Sequence, residues 1–277
     1  MSIEFKRKCK RFLNRVGLGR VTEKAWSYFC LASPGMIWRE IQLALIGAPD
    51  RMPLPPYKLI HLVTGNKWKA DFFISGKLQM AQMTNILEKN NINIAGIDSI
   101  LDFGCGCGRL VRHLSSLDAN GAQKLYGTDY NGELVAWCKD NLPFAEFDVN
   151  ALSPPLKYRD SSFDFIFARS VFTHLSYDLQ AAWIDELHRI LRTSGLLYFS
   201  THGNRRMEEL ADVDKELFNA CKLVVKNPDS SGMNRCAAYE SREFVVKELL
   251  GKFTLIDFIP GLEDRRIAQD VYLAKKR

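Results

Sequence analysis

Asp102, Gly104, Gly106, Gly108 and Asp129 are the residues whose types and spacing best support chemistry. They stand in Leu101-Asp102-Phe103-Gly104-Cys105-Gly106-Cys107-Gly108-Arg109-Leu110 and in Lys124-Leu125-Tyr126-Gly127-Thr128-Asp129. The first stretch reads as a buried strand over 99–103 that turns through three glycines into a helix over 107–117, a junction that aims backbone N–H groups at a polar ligand. A dinucleotide fingerprint requires G-x-G-x-x-G, and Arg109 stands at its third glycine position. Asp102, just ahead of the first glycine, would repel a pyrophosphate and suits an ammonium group. Asp129 closes the second strand, where paired acceptor oxygens can grip a ribose diol. A plain N-cap for a helix over 131–141 is the alternative for Asp129, and the two roles are compatible.

These residues resemble the class I S-adenosylmethionine-dependent methyltransferases over roughly 98–276, about two thirds of the chain. The D-x-G-x-G loop followed by a strand-end acid is the most specific part of the likeness. Pro154-Pro155-Leu156, Ser170-Val171-Phe172-Thr173-His174-Leu175 and Thr201-His202-Gly203 extend it toward a bacterial subgroup. The resemblance implies S-adenosyl-L-methionine as cofactor and a Rossmann-like, seven-stranded, mostly parallel sheet with flanking helices, ending in a hairpin that holds one antiparallel strand. It also implies that Gly104, Cys105 and Gly106 line the methionine portion, that Asp102 holds its ammonium through water, and that Asp129 takes the ribose hydroxyls.

In an open parallel sheet the ligand lies beyond the carboxyl ends of the strands. Asp102, Asp129, Asn150, Ser170, His174 and His202 all stand at or just past such ends, so one crevice can collect them. Asn150 carries the donor and acceptor needed to read an adenine edge, or serves a turn. Tyr130 can lie against the base, or be a half-exposed core aromatic. Methyl transfer from a sulfonium is an in-line displacement, for which the protein supplies alignment and, for a hydroxyl nucleophile, a base. His174 and His202 are the candidates for that base; the alternative for His174 is a hydrogen-bonded residue at a helix start.

Positioning these residues requires strands that alternate with helices. Strands are expected over 99–103, 124–129, 144–150, 163–168, 196–201, 253–259 and 270–274, which predicts βαβ units and an α/β fold. A helix is expected over 176–192, with Leu179, Trp183, Leu187, Ile190 and Leu191 on its buried face, Ser176 at its start and Thr193-Ser194-Gly195 as its stop. A last helix is expected over 242–250. Residues 202–241 form an insertion of about forty residues, a candidate substrate lid. Residues 25–95 read as an N-terminal helical extension, broken at Ser33-Pro34-Gly35, by the linker Pro53-Leu54-Pro55-Pro56, and near Gly65 and Gly76. It is expected to cover the mouth of the methyltransferase domain (96–277) or to pack on its back.

The composition is that of a globular protein: 47% hydrophobic and 25% charged over 277 residues. No apolar run reaches membrane-spanning length, and the N-terminus lacks a secretory signal, which predicts a cytoplasmic protein. Seven cysteines, an odd number, do not make a disulfide framework, and Cys105 and Cys107 have no second pair with which to hold zinc, so no metal-ligating residue is named and the cysteines read as small residues of a reducing compartment. Residues 1–24 carry eight basic residues against Glu4 and Glu23, which accounts for the whole net charge of +6. Phe5, Cys9, Phe12, Leu13 and Val16 lie at helical spacing opposite most of those charges. Such a basic amphipathic segment suits peripheral contact with an anionic inner membrane, or a helix packed on its own domain; nucleic acid is disfavoured because the rest of the chain is neutral.

The function expected is O-methylation of a small molecule, glycan or lipid-linked intermediate. A nicotinamide-dependent oxidoreductase is the second reading, against which stand Arg109 and the placement of the Tyr272/Lys276 pair in a strand and tail. A non-catalytic cofactor-binding scaffold is the third. Leu54-Pro55-Pro56-Tyr57 and Ser153-Pro154-Pro155-Leu156 lack the composition and position of a base-methylating N-P-P-Y motif.

Overall fold

A computed structural model of the chain describes residues 34–117 and 123–277. Five parallel strands are laid down first: β1 (Ser99–Phe103), β2 (Lys124–Asp129), β3 (Glu146–Val149), β4 (Phe163–Ala168) and β5 (Leu191–Thr201). Two short strands, β6 (Val224–Lys226) and β7 (Ala237–Tyr239), pair antiparallel within the insertion. β8 (Phe253–Ile259) and β9 (Asp270–Lys276) complete the main sheet, whose order is β3-β2-β1-β4-β5-β9-β8. β9 runs antiparallel to both of its neighbours. This is the seven-stranded, mostly parallel, Rossmann-like α/β sheet expected from the sequence. Its strand order reverses between β1 and β4, where such sheets open a crevice.

Alternating side chains bury both faces of the sheet. Phe199, Tyr272 and Ala274 pack into one hydrophobic cluster, while Tyr198, Val271 and Leu273 pack into the other. Helix coverage on both sides is what makes these near-continuous apolar strands stable.

Helices α1 (Pro34–Ile46), α2 (Tyr57–Thr64) and α3 (Lys69–Lys89) form the described part of the N-terminal extension. The basic residues 1–24, together with Trp26, Tyr28 and Phe29, lie outside the described residues. The extension is fastened to the sheet by Arg112, fully buried, whose guanidinium grips Asp50 at 2.7 and 3.0 Å and reaches the carbonyls of Met52 and Pro53. α3 is pressed against the glycine loop at Gly76, where a Cβ would lie 2.3 Å from the Arg109 carbonyl oxygen. Among the described residues no helix is long and apolar enough to cross a membrane.

Several element boundaries differ from expectation. The helix foreseen over 107–117 is a turn followed by a 3-10 segment, Val111–Ser116. Gly104, Gly106 and Gly108 all have positive φ, and that succession of left-handed residues leaves the chain outside helical geometry until it is past the loop. α4 (Gly132–Asn141) is capped by Asn131, whose side chain accepts from the amides of Glu133 and Leu134, so Asp129 is free of the capping role. α5 (Tyr177–Ile190) ends two residues early because Leu191 already pairs with Phe163. Thr193-Ser194-Gly195 therefore lies inside β5 as an irregularity, with Ser194 at φ 64°. The strand foreseen over 144–150 is shorter, and the final helix becomes a single α turn, Arg242–Phe244, that widens into π geometry over Val245–Leu249.

Candidate active site

A crevice of about 560 Å3 opens at the switch point between β1 and β4. Its lining includes Asp102, Gly104, Cys105, Gly106, Asp129, Tyr130, Asn150, Ser170 and His174, which residues from four strand ends bring together as the topology requires. His202 is the exception. It is buried behind His174, their rings 6.3 Å apart, and forms a bridge to Tyr239 instead of lining the crevice. The strand-end position was correct for His202, but the insertion folds back over it and closes it off.

The glycine loop differs from a phosphate cradle in one decisive respect. The amides of Gly104 and Cys105 both donate to the Thr128 carbonyl, at 2.8 and 2.9 Å, and the amide of Gly106 donates to Asp129 Oδ2 at 2.9 Å. The N–H groups that the sequence suggested would face a ligand are thus engaged by β2, and a pyrophosphate would find none of these three. Positive φ and close packing explain why glycines are needed here: a Cβ on Gly104 would lie 2.3 Å from Val171, and one on Gly106 2.8 Å from Val63.

What the crevice offers instead is carboxylate. Asp102 is 3% exposed, and its Oδ2 has no partner. Burial pushes its carboxyl up to about 8, opposed by the charge of Arg109 and a hydrogen bond from the Val111 amide. An orphaned buried carboxyl of this kind is satisfied by an incoming cation. Asp129 spends one lone pair on each oxygen, Oδ1 accepting from the Asn131 amide at 2.8 Å and Oδ2 from Gly106. Each oxygen keeps further acceptor capacity for a vicinal diol. Asn150 gives one amide hydrogen to the Ala151 carbonyl and leaves Oδ1 unpartnered. Ser170, held at φ 59°, donates its hydroxyl to Gln269.

His174 sits at the end of a 3-10 turn, Phe172–His174. Its Nδ1 lies 2.7 Å from the Cys236 carbonyl oxygen. A carbonyl can only accept, so Nδ1 bears the proton and Nε2 is left with a free lone pair. Burial holds its pKa below the ordinary histidine value, countered by the Cys236 contact and reinforced by the charge of Arg206. The turn is pinned by Gln180, which donates to the Phe172 carbonyl at 3.0 Å and to Glu240 at 2.5 Å. The insertion adds a third restraint, since Gly232 N–H donates to the His174 carbonyl.

The N-terminal extension and the insertion meet over the crevice. The crevice is roofed by His61, Leu62 and Val63 of α2 and by residues 232–235 of the insertion, joined where Asn234 Nδ2 donates to the Leu62 carbonyl at 2.7 Å. Of the two placements open to the N-terminal helices, the mouth is where α2 lies. Buried guanidiniums are not among the residues foreseen in the sequence. Arg109 and Arg169, 8% and 4% exposed, both line the crevice and both carry unpartnered nitrogens. Arg169 follows the last residue of β4, so the strand-end rule that picked out Ser170 would have found it one position earlier.

Residues 101–199 match the family model described as a methyltransferase domain. Among curated relatives, a malonyl-[acyl-carrier protein] O-methyltransferase of Bacillus cytotoxicus is 32% identical over 45% of this chain and 42% of its own length. A tRNA N(3)-methylcytidine methyltransferase of Schizosaccharomyces pombe is 28% identical over 42% of this chain and 40% of its own. The chain thus spans about two fifths of the length of these relatives. A solved Burkholderia thailandensis 1,6-didemethyltoxoflavin-N1-methyltransferase, with bound 1,6-didemethyltoxoflavin and S-adenosylhomocysteine, is similar with a TM-score of 0.52 over 89% of this chain and 91% of that one, at 14% identity, a likeness of fold. Over residues 101–199 this chain is similar to methyltransferase domains.

Proposed function

We propose that the protein transfers a methyl group from S-adenosylmethionine to a hydroxyl oxygen of a small molecule, glycan or lipid-linked intermediate. The observation that carries the cofactor is the unpartnered Oδ2 of buried Asp102 in a loop whose three amides are already engaged. That arrangement takes a cation and offers nothing to a pyrophosphate, which favours this reading over a nicotinamide-dependent oxidoreductase.

Asp102 would hold the ammonium, Asp129 the ribose hydroxyls, and Tyr130 and Asn150 the base. When bound, the cofactor supplies an electrophilic methyl on a sulfonium. The protein's own part is alignment and proton removal. His174, neutral and protonated on Nδ1, presents Nε2 to the crevice as the proton acceptor for an attacking hydroxyl. The roof of α2 and residues 232–235 restricts water around that atom.

Calorimetry with S-adenosylhomocysteine and NAD, followed by transfer of label from S-adenosylmethionine to a panel of hydroxyl, amine and carboxylate acceptors, tests the reading. Binding of S-adenosylhomocysteine and not NAD, with label on hydroxyl acceptors, is expected. Preferential NAD binding would overturn it, and label on amines alone would remove the oxygen acceptor. Peripheral contact of residues 1–24 with anionic lipid rests on their charge in the sequence. Its check is sedimentation with anionic vesicles, which deletion of those residues should abolish.

A further inference from the structure

Beside the crevice lies a second cavity of about 610 Å3, and the two share Val63, Arg109 and Ser170 in their linings. Arg109 of the glycine loop, Arg206 of the insertion, and Arg265 and Arg266 of the turn before β9 project charge into its wall, where Asp71 is the one lining carboxylate. Asp71 is already engaged by Asn66 Nδ2 at 2.7 Å. Arg266 pairs with Asp264 and Arg206 with Glu209, both acids lying outside the lining. Arg109 and Arg265 form no ion pair among the described residues, and the Nε of buried Arg109 has no partner.

These charges come from three separate segments, two of which are tied to each other. Gln79 of α3 accepts from Arg109 Nη1 at 2.7 Å and donates to the Arg266 carbonyl at 2.6 Å. One side chain thereby ties the glycine loop to the β8–β9 turn across the recess. Buried guanidinium nitrogens without an acid are costly, and oxygens of a planar or tetrahedral anion are the groups that match their fork geometry.

We propose that this recess is the acceptor subsite and selects small molecules that carry an anionic group, a phosphate or a carboxylate, next to the hydroxyl to be methylated. The word acceptor rests on the methyltransferase reading; the anion site does not. Its position fits, because the shared wall at Arg109 and Ser170 lets one molecule place its anion in the recess and its hydroxyl in the crevice near His174.

The test is calorimetry on the full chain at constant ionic strength, first with S-adenosylhomocysteine, then on the saturated protein with inorganic phosphate and with succinate. Saturable binding of at least one anion is expected, weakened at least tenfold in Arg206→Gln/Arg265→Gln, while affinity for S-adenosylhomocysteine stays within twofold. Arg206 is half-buried and Arg265 exposed, and an unchanged melting temperature for the double variant confirms that it folds. Phosphate binding alone assigns phosphorylated acceptors, and succinate binding alone assigns carboxylated ones. No anion binding, equal binding by the double variant, or displacement of S-adenosylhomocysteine by the anion would overturn the subsite. Arginine-dependent anion binding in a chain that does not bind S-adenosylhomocysteine would instead sink the methyltransferase reading and, with it, the acceptor role.

Discussion

His174 donates its Nδ1 proton to the Cys236 carbonyl across 2.7 Å, so a residue in the turn after β4 is oriented by the insertion that follows β5. The contact fixes the tautomer, which leaves Nε2 as acceptor. His174→Ala should lower kcat by about 10²–10⁴-fold, the usual range for a positioned base, with S-adenosylhomocysteine affinity within twofold. Burial keeps this imidazole neutral to below its ordinary value of 6.5, so the acid limb of the kcat profile should fall below that pH. Loss of cofactor affinity in parallel with kcat would show that the residue holds the crevice together instead.

Asp102 supplies a proton-linked binding signature. With its carboxyl raised to about 8 in the ligand-free crevice, it is protonated at pH 7, and an ammonium placed against it favours the ionised form. S-adenosylhomocysteine binding at pH 7 should release up to one proton from this site, read as a dependence of the calorimetric enthalpy on buffer ionisation enthalpy. Asp102→Asn should abolish that release and cost about 1.5–3 kcal/mol of binding, the range for a charged hydrogen bond. Equal proton release by the variant would place the ammonium elsewhere.

The sheet and the carboxylates were legible in the sequence because each depends on local pattern. Ser99–Phe103 and Lys124–Asp129 are short apolar runs whose ends carry acids, and β strands set by such runs place those ends together. The surroundings were not legible, because they depend on which distant segments meet. Nothing near His202 announces that Tyr239 will pair beside it and take it out of the crevice. Nothing near Arg109 announces Gln79 or Arg266. The engaged amides of the glycine loop are of the same kind: Thr128 can accept from Gly104 and Cys105 only once β1 and β2 are in register, with Phe103 opposite Thr128.

Gly76→Ala separates helix propensity from packing. Alanine is favoured over glycine inside a helix by about 1 kcal/mol, so an unobstructed site would gain stability. Here the new methyl would meet the Arg109 carbonyl at 2.3 Å, backbone that cannot move without shifting the glycine loop. Overpacking of this kind costs about 1–3 kcal/mol, which outweighs the propensity gain. The urea midpoint should fall and S-adenosylhomocysteine affinity should weaken with it. A variant more stable than the parent would mean that α3 does not bear on the loop as closely as described.

His202 makes a prediction about acid stability whose sign follows from its burial. Desolvation, with the charges of Arg206 and His174, lowers its pKa to about 3 in the folded chain, against about 6.5 when unfolded. Between those values the unfolded chain binds the extra proton, so the stability contributed by the neutral ring is complete above pH 6.5 and is lost as pH falls. At pH 5 the loss from this residue amounts to about 2 kcal/mol. Asp102 and Glu240, both raised to about 8 by burial, act in the opposite sense, because the folded chain holds their protons where the unfolded chain has released them. Raw melting curves therefore mix the effects, but a comparison with His202→Gln cancels the two acids. That variant should be less stable than the parent at pH 7, since glutamine fills the ring's place against Tyr239 poorly, and the gap should narrow by about 2 kcal/mol on going to pH 5. A gap that does not change with pH would mean that His202 titrates normally, and hence that the insertion does not seal it from water.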